Sequence, residues 1–173
     1  MNRPLPIVIA LGGGQGGGPG GARVRLDRAC RLLNDCGARV VARSRLYWTR
    51  PWGGVARRPF LNAAVCVTTQ HTPRALLSNC LSIERRLGRR RATEPRWGDR
   101  LIDLDLILYG GCVMHDDRLT LPHPELARRD FVLAPLADLG VAPDARATPV
   151  AWRIALARLA SNERTIVHVE PWV

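Results

Sequence analysis

The chain has no lysine: all 26 basic residues are arginines, set against 15 carboxylates, for a formal charge of +11. Arginine used this uniformly points to a compositional bias of the source, so no single arginine acquires a role from its type alone. The excess of positive charge does imply an anionic partner, either a phosphorylated small molecule or a nucleic acid. Paired cysteines are missing too. Cys30, Cys36, Cys66, Cys80 and Cys112 are odd in number and form no C-x-x-C. That argues against a zinc site or a thioredoxin-type redox pair and for small buried hydrophobes in a reducing compartment. No basic leader with an apolar stretch opens the chain, and no apolar run approaches the length of a membrane span. A cytoplasmic location is expected. At 173 residues, without an internal repeat or an evident boundary, the chain is expected to form one domain with a core of its own.

What is present is an ordinary globular composition, 46% hydrophobic and 24% charged, with alternating strand and helix signals. Leu5–Leu11 is a short apolar run that predicts a buried strand. The glycine-rich Gly12–Gly21 follows, without the G-K-[ST] ending of a phosphate loop, and is expected to be a flexible connection. Ala22–Cys36 carries a helical stripe (Leu26, Ala29, Cys30, Leu32, Leu33) and meets a natural C-cap at Gly37. Ala38–Tyr47 predicts a more exposed strand, Trp48–Pro59 a long loop and Phe60–Thr69 a third strand. Thr72-Pro73 has the signature of an N-cap with proline at the first helical position, and that helix stops at Gly88. Arg89–Arg100 is a second long loop, rich in arginine. A strand then runs to Tyr109, and Gly110-Gly111 marks a hairpin turn. A short strand near Cys112–His115, a helix over Phe131–Leu139, a last helix from Thr148-Pro149 through Ala160 and an edge strand over Thr165–Val169 complete the expectation. The order βαββαβ predicts an α+β, ferredoxin-like sandwich, an antiparallel sheet covered by helices on one face and open on the other, with extra C-terminal helices.

The stretch Arg96–Tyr109, R-W-G-D-R-L-I-D-L-D-L-I-L-Y, is the densest in chemistry. Side chains alternate along a strand, which places Asp103 and Asp105 on one face and Ile102, Leu104, Leu106 and Leu108 on the other. The two carboxylates lie about 7 Å apart at Cα. They either pair with Arg96 and Arg100 at a strand end or converge on a hard cation such as Mg²⁺, which takes one or two carboxylates and completes its shell with water and phosphate. The spacing alone leaves both readings open.

Five segments in order carry a resemblance. Arg96–Leu106 reads R-W-G-D-R-L-I-D-L-D-L. Tyr47, Thr49 and Pro51 form Y-x-T-x-P, and Phe60–Val65 reads F-L-N-A-A-V. Ile83, Glu84, Gly88, Arg89 and Arg91 give I-E-x-x-x-G-R-x-R. Leu119, Pro122, His123, Arg129 and Phe131 give L-x-x-P-H…R-x-F. The chain resembles the 6-hydroxymethyl-7,8-dihydropterin pyrophosphokinase family, over residues 7 to about 138. The resemblance implies a single pyrophosphokinase domain over residues 1–173. It implies transfer of pyrophosphate from ATP to the hydroxymethyl group of the pterin, releasing AMP, assisted by two Mg²⁺ ions. It makes Asp103 and Asp105 the metal ligands and, with Arg89 and Arg100, the catalytic group. It places Glu84, Arg89, Arg91, Trp97, Arg100, Leu106, Arg118, Thr120, His123 and Arg129 around ATP. Thr49, Pro51, Trp52, Phe60, Asn62 and Phe131 fall around the pterin, with the two phenylalanines stacking on the flat ring and Asn62 bonding its amide edge. The partners implied are these two small molecules, with no nucleic acid, no membrane and a monomeric chain.

The chain also departs from the family pattern. Gly12-Gly13-Gly14 stands where the family has G-S-N, Asp99 replaces the proline after R-W-G, Trp52 is bulkier than usual, and Leu81 replaces a common glutamine. A divergent paralogue acting on another pterin, a catalytically silent homologue, or an RNA-binding module using an open sheet are the alternatives these departures and the charge leave.

Overall fold

A computed structural model describes residues 5–14, 19–51, 58–90, 100–141, 150–160 and 163–172. Strand β1 (Ile7–Gly14) lies between β4 (Phe60–Thr68) and β5 (Asp103–Tyr109), antiparallel to both. Its central position explains its continuous apolar run, since Val8 and Ile9 point to opposite faces and both are fully buried. Beyond β4 come β2 (Arg39–Arg43) and β3 (Leu46–Thr49), and β8 (Ile166–Glu170) closes that edge on β3. The expected strand over Ala38–Tyr47 is therefore two strands on one partner, and it continues to Thr49. At the break Ser44 stands in for the ladder: its N–H donates to Ala64 O and its hydroxyl accepts from Ala64 N–H, both at 2.9 Å. The order β5-β1-β4-β3 is that of a ferredoxin-like α+β fold. A two-stranded hairpin of β6 (Met114–His115) and β7 (Thr120–Leu121) follows β5.

Helix α1 (Pro19–Asp35) starts within the glycine-rich run, and α2 (Pro73–Arg86) begins as the sequence predicts, with Thr72 Oγ1 accepting from Ala75 N–H at 3.3 Å. Both lie on one face of the sheet, where Leu26, Leu33, Leu76 and Ile83 pack on Ile9, Leu11, Leu104 and Leu106. The other face is not left open. Helices α3 (Asp130–Leu139) and α4 (Val150–Arg158) cover part of it, packing Val132, Leu133, Leu136 and Trp152 on Val8, Ala64, Ile107 and Leu108. Apolar side chains at Val8, Ala64 and Ile107 require a cover, which the C-terminal helices supply.

Leu108 does not share the face of Leu104 and Leu106. Val8 pairs with Leu108 but Ile9 pairs with Leu106, so Ile107 is an extra residue in β5. This bulge turns Leu108 toward α3 and breaks the strict alternation. The aspartates precede the bulge, and their placement on one face stands.

Candidate active site

Three strands build the floor of a cleft beside α3. Asp103 pairs with Gly12, Gly12 with Asn62 and Asn62 with Tyr47, forming one row across the sheet; Asp105, Ala10 and Ala64 form the next. The middle of each row is small, which leaves space over the sheet. A Cβ at Gly12 would stand 3.3 Å from Asn62 Oδ1 and 3.7 Å from the Asp103 Cβ. The cleft encloses about 780 Å³, its open mouth included, and is lined by both carboxylates, by Thr49, Arg50, Phe60 and Asn62 on one wall, and by His123, Arg129 and Phe131 on the other. Both phenylalanines of the chain thus line it; neither is fully buried, and Phe131 packs on the edge of the core beneath α3. Each carries an arginine: Arg100 Cζ lies 5.8 Å from the Phe60 centroid, Arg129 Cζ 5.7 Å from that of Phe131. Asn62 donates from Nδ2 to Thr49 Oγ1 at 2.9 Å, so its amide is oriented before any ligand arrives.

The two aspartates are not equivalent. Asp103 forms an ion pair with Arg100, whose Nε lies 2.8 Å from Oδ2, and accepts a hydrogen bond from Arg89 Nη1 on Oδ1. Burial raises its pKa, but Arg100 and Arg89 outweigh burial and hold the carboxyl below the ordinary carboxylate range. At Asp105, burial and then the neighbouring Asp103 push the carboxyl up to about 7, and Arg100 offsets them only in part. A pair with one carboxylate satisfied and the other short of positive charge suits an added cation. Among the described residues no group of three or more His, Cys, Asp or Glu side chains gathers to enclose a metal. The donor set is therefore two carboxylates with the rest of the shell left to water and phosphate, which fits Mg²⁺ better than a metal needing a full protein cage.

Burial and then Arg129 lower the His123 pKa, which favours the neutral ring. Its Nδ1 accepts from Glu125 N–H at 3.2 Å, which leaves the proton on Nε2. Arg129 is 8% exposed and lies 3.8 Å from Glu125.

Several residues expected at the site stand elsewhere. Leu106 is 2% exposed in the core between the sheet and α1–α2, so its side chain does not reach the cleft. Glu84 and Arg89 lie behind Asp103 and do not line the cleft. Glu84 is 1% exposed and accepts from Leu104 N–H and from Arg89 Nη1, at 2.8 and 2.7 Å. It covers the outer edge of β5, and Arg89, expected around ATP, bridges the two carboxylates. Arg118 and Thr120 belong to the β6–β7 hairpin, away from the lining, and Pro51 only flanks it. Trp52, Arg91, Trp97 and Asp99 lie outside the described residues, as does the 15–18 part of the glycine run. No sequence signal marks Arg50, which lines the cleft, or Arg25, whose Nε donates to Leu101 O at 2.9 Å and whose Nη2 reaches Gly14 O. Arg25 ties the end of β1 to the approach of β5. In a chain where arginine is the sole basic residue, nothing local marks it.

The family model for 7,8-dihydro-6-hydroxymethylpterin-pyrophosphokinase (HPPK) matches residues 8–141, from β1 through α3. The chain belongs to the HPPK family. It is accordingly an enzyme of the ATP-using diphosphotransferase class. A 2-amino-4-hydroxy-6-hydroxymethyldihydropteridine pyrophosphokinase of Methylorubrum extorquens is 51% identical over 123 residues, covering 71% of this chain and 75% of the relative. A mitochondrial folate synthesis bifunctional protein of Arabidopsis thaliana is 41% identical over 133 residues, 77% of this chain and 23% of that one. The fold is shared with the solved Plasmodium falciparum HPPK-DHPS with pteroate, at a TM-score of 0.66 and 14% identity, over 91% of this chain and 45% of that one. This HPPK chain thus spans less than half of the bifunctional proteins it matches.

Proposed function

We propose that the chain transfers the pyrophosphoryl group of ATP to the hydroxymethyl oxygen of 6-hydroxymethyl-7,8-dihydropterin, releasing AMP, with Asp103 and Asp105 holding two Mg²⁺ ions. The observation that carries this reading is the cleft itself: two carboxylates in register over a floor of Gly12 and Ala10, facing two arginine-backed phenylalanines. Bound at the pair, Mg²⁺ supplies charge that neutralises the phosphates and acidifies an alcohol it contacts. Phe60 and Phe131 hold the flat pterin between them, and the Asn62 amide, oriented by Thr49, bonds its polar edge. Arg100 and Arg129 bind phosphate oxygens, and His123 donates its Nε2–H as a neutral group. Fixed donors and alignment of the reacting oxygens are what phosphoryl transfer chiefly requires, so no side-chain base is needed.

An AMP-release assay with ATP, Mg²⁺ and hydroxymethyl-dihydropterin tests the reading. Turnover is expected from the native chain, and Asp103→Ala and Asp105→Ala each abolish it. Full activity in either variant removes the metal assignment. No AMP from the native chain removes the reaction.

A further inference from the structure

The start of α3 supplies two cleft residues, Arg129 and Phe131, and between them stands a carboxylate engaged with β8. Asp130 is 2% exposed. Its Oδ1 accepts from Phe131 N–H at 2.8 Å and from the Thr165 hydroxyl at 2.7 Å; its Oδ2 accepts from Ile166 N–H at 2.9 Å and from Thr165 N–H. Three of these four donors come from Thr165 and Ile166. Hydrogen bonds to an ionised acceptor are stronger than neutral ones, and this carboxylate collects four.

Thr165 also bonds to the opposite wall. Its carbonyl accepts from Arg50 N–H at 2.9 Å, and Ile166 pairs with Thr49 in the β3–β8 ladder. Thr49 in turn orients Asn62. Two adjacent residues at the start of β8 therefore bond the backbone of one wall and, through the Asp130 carboxylate, the first turn of the other. They lie beyond residue 141, where the family match ends.

We propose that Thr165 and Asp130 are positioning residues, a latch by which β8 sets Phe131 and Arg129 against Thr49, Arg50 and Asn62 and so fixes the width of the substrate cleft. Successive residues of a helix point about 100° apart, so anchoring the Asp130 side chain fixes the rotation of the first turn of α3 and with it the direction of Phe131. Thr165 is 6% exposed and contacts no part of the cleft lining through its side chain in the bonds above, so it acts through Asp130. The proposal rests on the pterin reading for its substrate; the latch itself does not.

The test uses the full chain and three substitutions. Thr165→Val keeps the shape and the backbone donors but removes the hydroxyl; Thr165→Ser keeps the hydroxyl. Thr165→Val raises the pterin KM about tenfold, the loss of one charge-assisted hydrogen bond, while kcat at saturating pterin stays within about threefold. Thr165→Ser stays within about twofold of the native chain on both constants. Asp130→Asn has the larger effect, because its NH₂ opposes a backbone N–H in either orientation. Equal losses in Thr165→Val and Thr165→Ser overturn the latch, as does an unchanged pterin KM in Thr165→Val. Should Asp130→Asn fail to fold, Thr165→Val still decides. Amide hydrogen exchange of the ligand-free protein gives a readout independent of substrate. Thr165→Val accelerates exchange at Arg50 and at Phe131 while α1 is unaffected, and unchanged exchange at either wall overturns the proposal. If the native chain turns over no pterin, the activity reading fails by itself and the exchange result alone decides the latch.

Discussion

One nitrogen of Arg89, Nη1, serves two buried carboxylates: it lies 2.7 Å from Glu84 Oε1 and also contacts Asp103 Oδ1. Glu84 bonds the backbone of Leu104, the residue between the two cleft aspartates, at 2.8 Å. The C-terminal end of α2 and the start of β5 are thereby joined by a charged knot behind the site.

This knot ranks two substitutions. Arg89→Ala removes the cation shared by the buried Glu84 and Asp103 carboxylates and destabilises the chain by about 3–5 kcal/mol. Glu84→Gln retains an oxygen for Leu104 N–H and loses only the charge opposite Arg89, for about 1–2 kcal/mol. Urea unfolding of both variants measures the order, and a milder Arg89→Ala contradicts the arrangement.

Asp105 sets function against stability. Its folded pKa, about 7, lies above the ordinary aspartate value, so the folded state binds more protons than the unfolded state between the two. The stability it contributes is therefore complete below the unfolded pKa and is lost as pH rises through about 7. In chelator at about pH 8, Asp105→Asn is expected to be more stable than the native chain by about 1 kcal/mol or more, with the gap closing toward about pH 5. The same variant gives no turnover. A destabilised Asp105→Asn at the higher pH refutes the electrostatic account.

Gly14, at the end of β1, stands against the backbone of Arg100. Its N–H donates to Arg100 O at 3.0 Å, and a Cβ there would come within 2.4 Å of that oxygen. Gly14→Ala forces the strand off Arg100, costs about 1–3 kcal/mol and lowers turnover. Thermal unfolding and the AMP assay measure both, and wild-type values for the two together would show that the approach relaxes freely. Of the glycines standing where the family pattern has G-S-N, Gly14 meets the Arg100 carbonyl, while Gly12 and Gly13 lie closest to the side chains of Asn62 and Leu26.

Phe60→Leu keeps an apolar side chain at the edge of the cleft and removes the flat ring. Pterin affinity falls roughly tenfold, about 1–1.5 kcal/mol, in a fluorescence titration. Equal affinity would take Phe60 out of the stacking pair.

Local rules determined much of this protein from its sequence. Period-two alternation put Asp103 and Asp105 on one face, and β5 shows them there opposite Ala10 and Gly12. Thr72-Pro73 fixed where α2 begins, because capping depends on residues three apart. The order of strands and helices, and so the ferredoxin-like sheet, followed from such signals. Tertiary structure decided what depends on residues far apart in the chain. The bulge at Ile107 turned Leu108 to the other face because α3 and α4 cover that side. Arg89 went behind Asp103, since Glu84 lies buried there and a buried carboxylate needs a cation. The meeting of Asp130 with Thr165 has no local signature at all, as it joins residues 35 apart through a β8–β3 pairing that only the folded sheet creates.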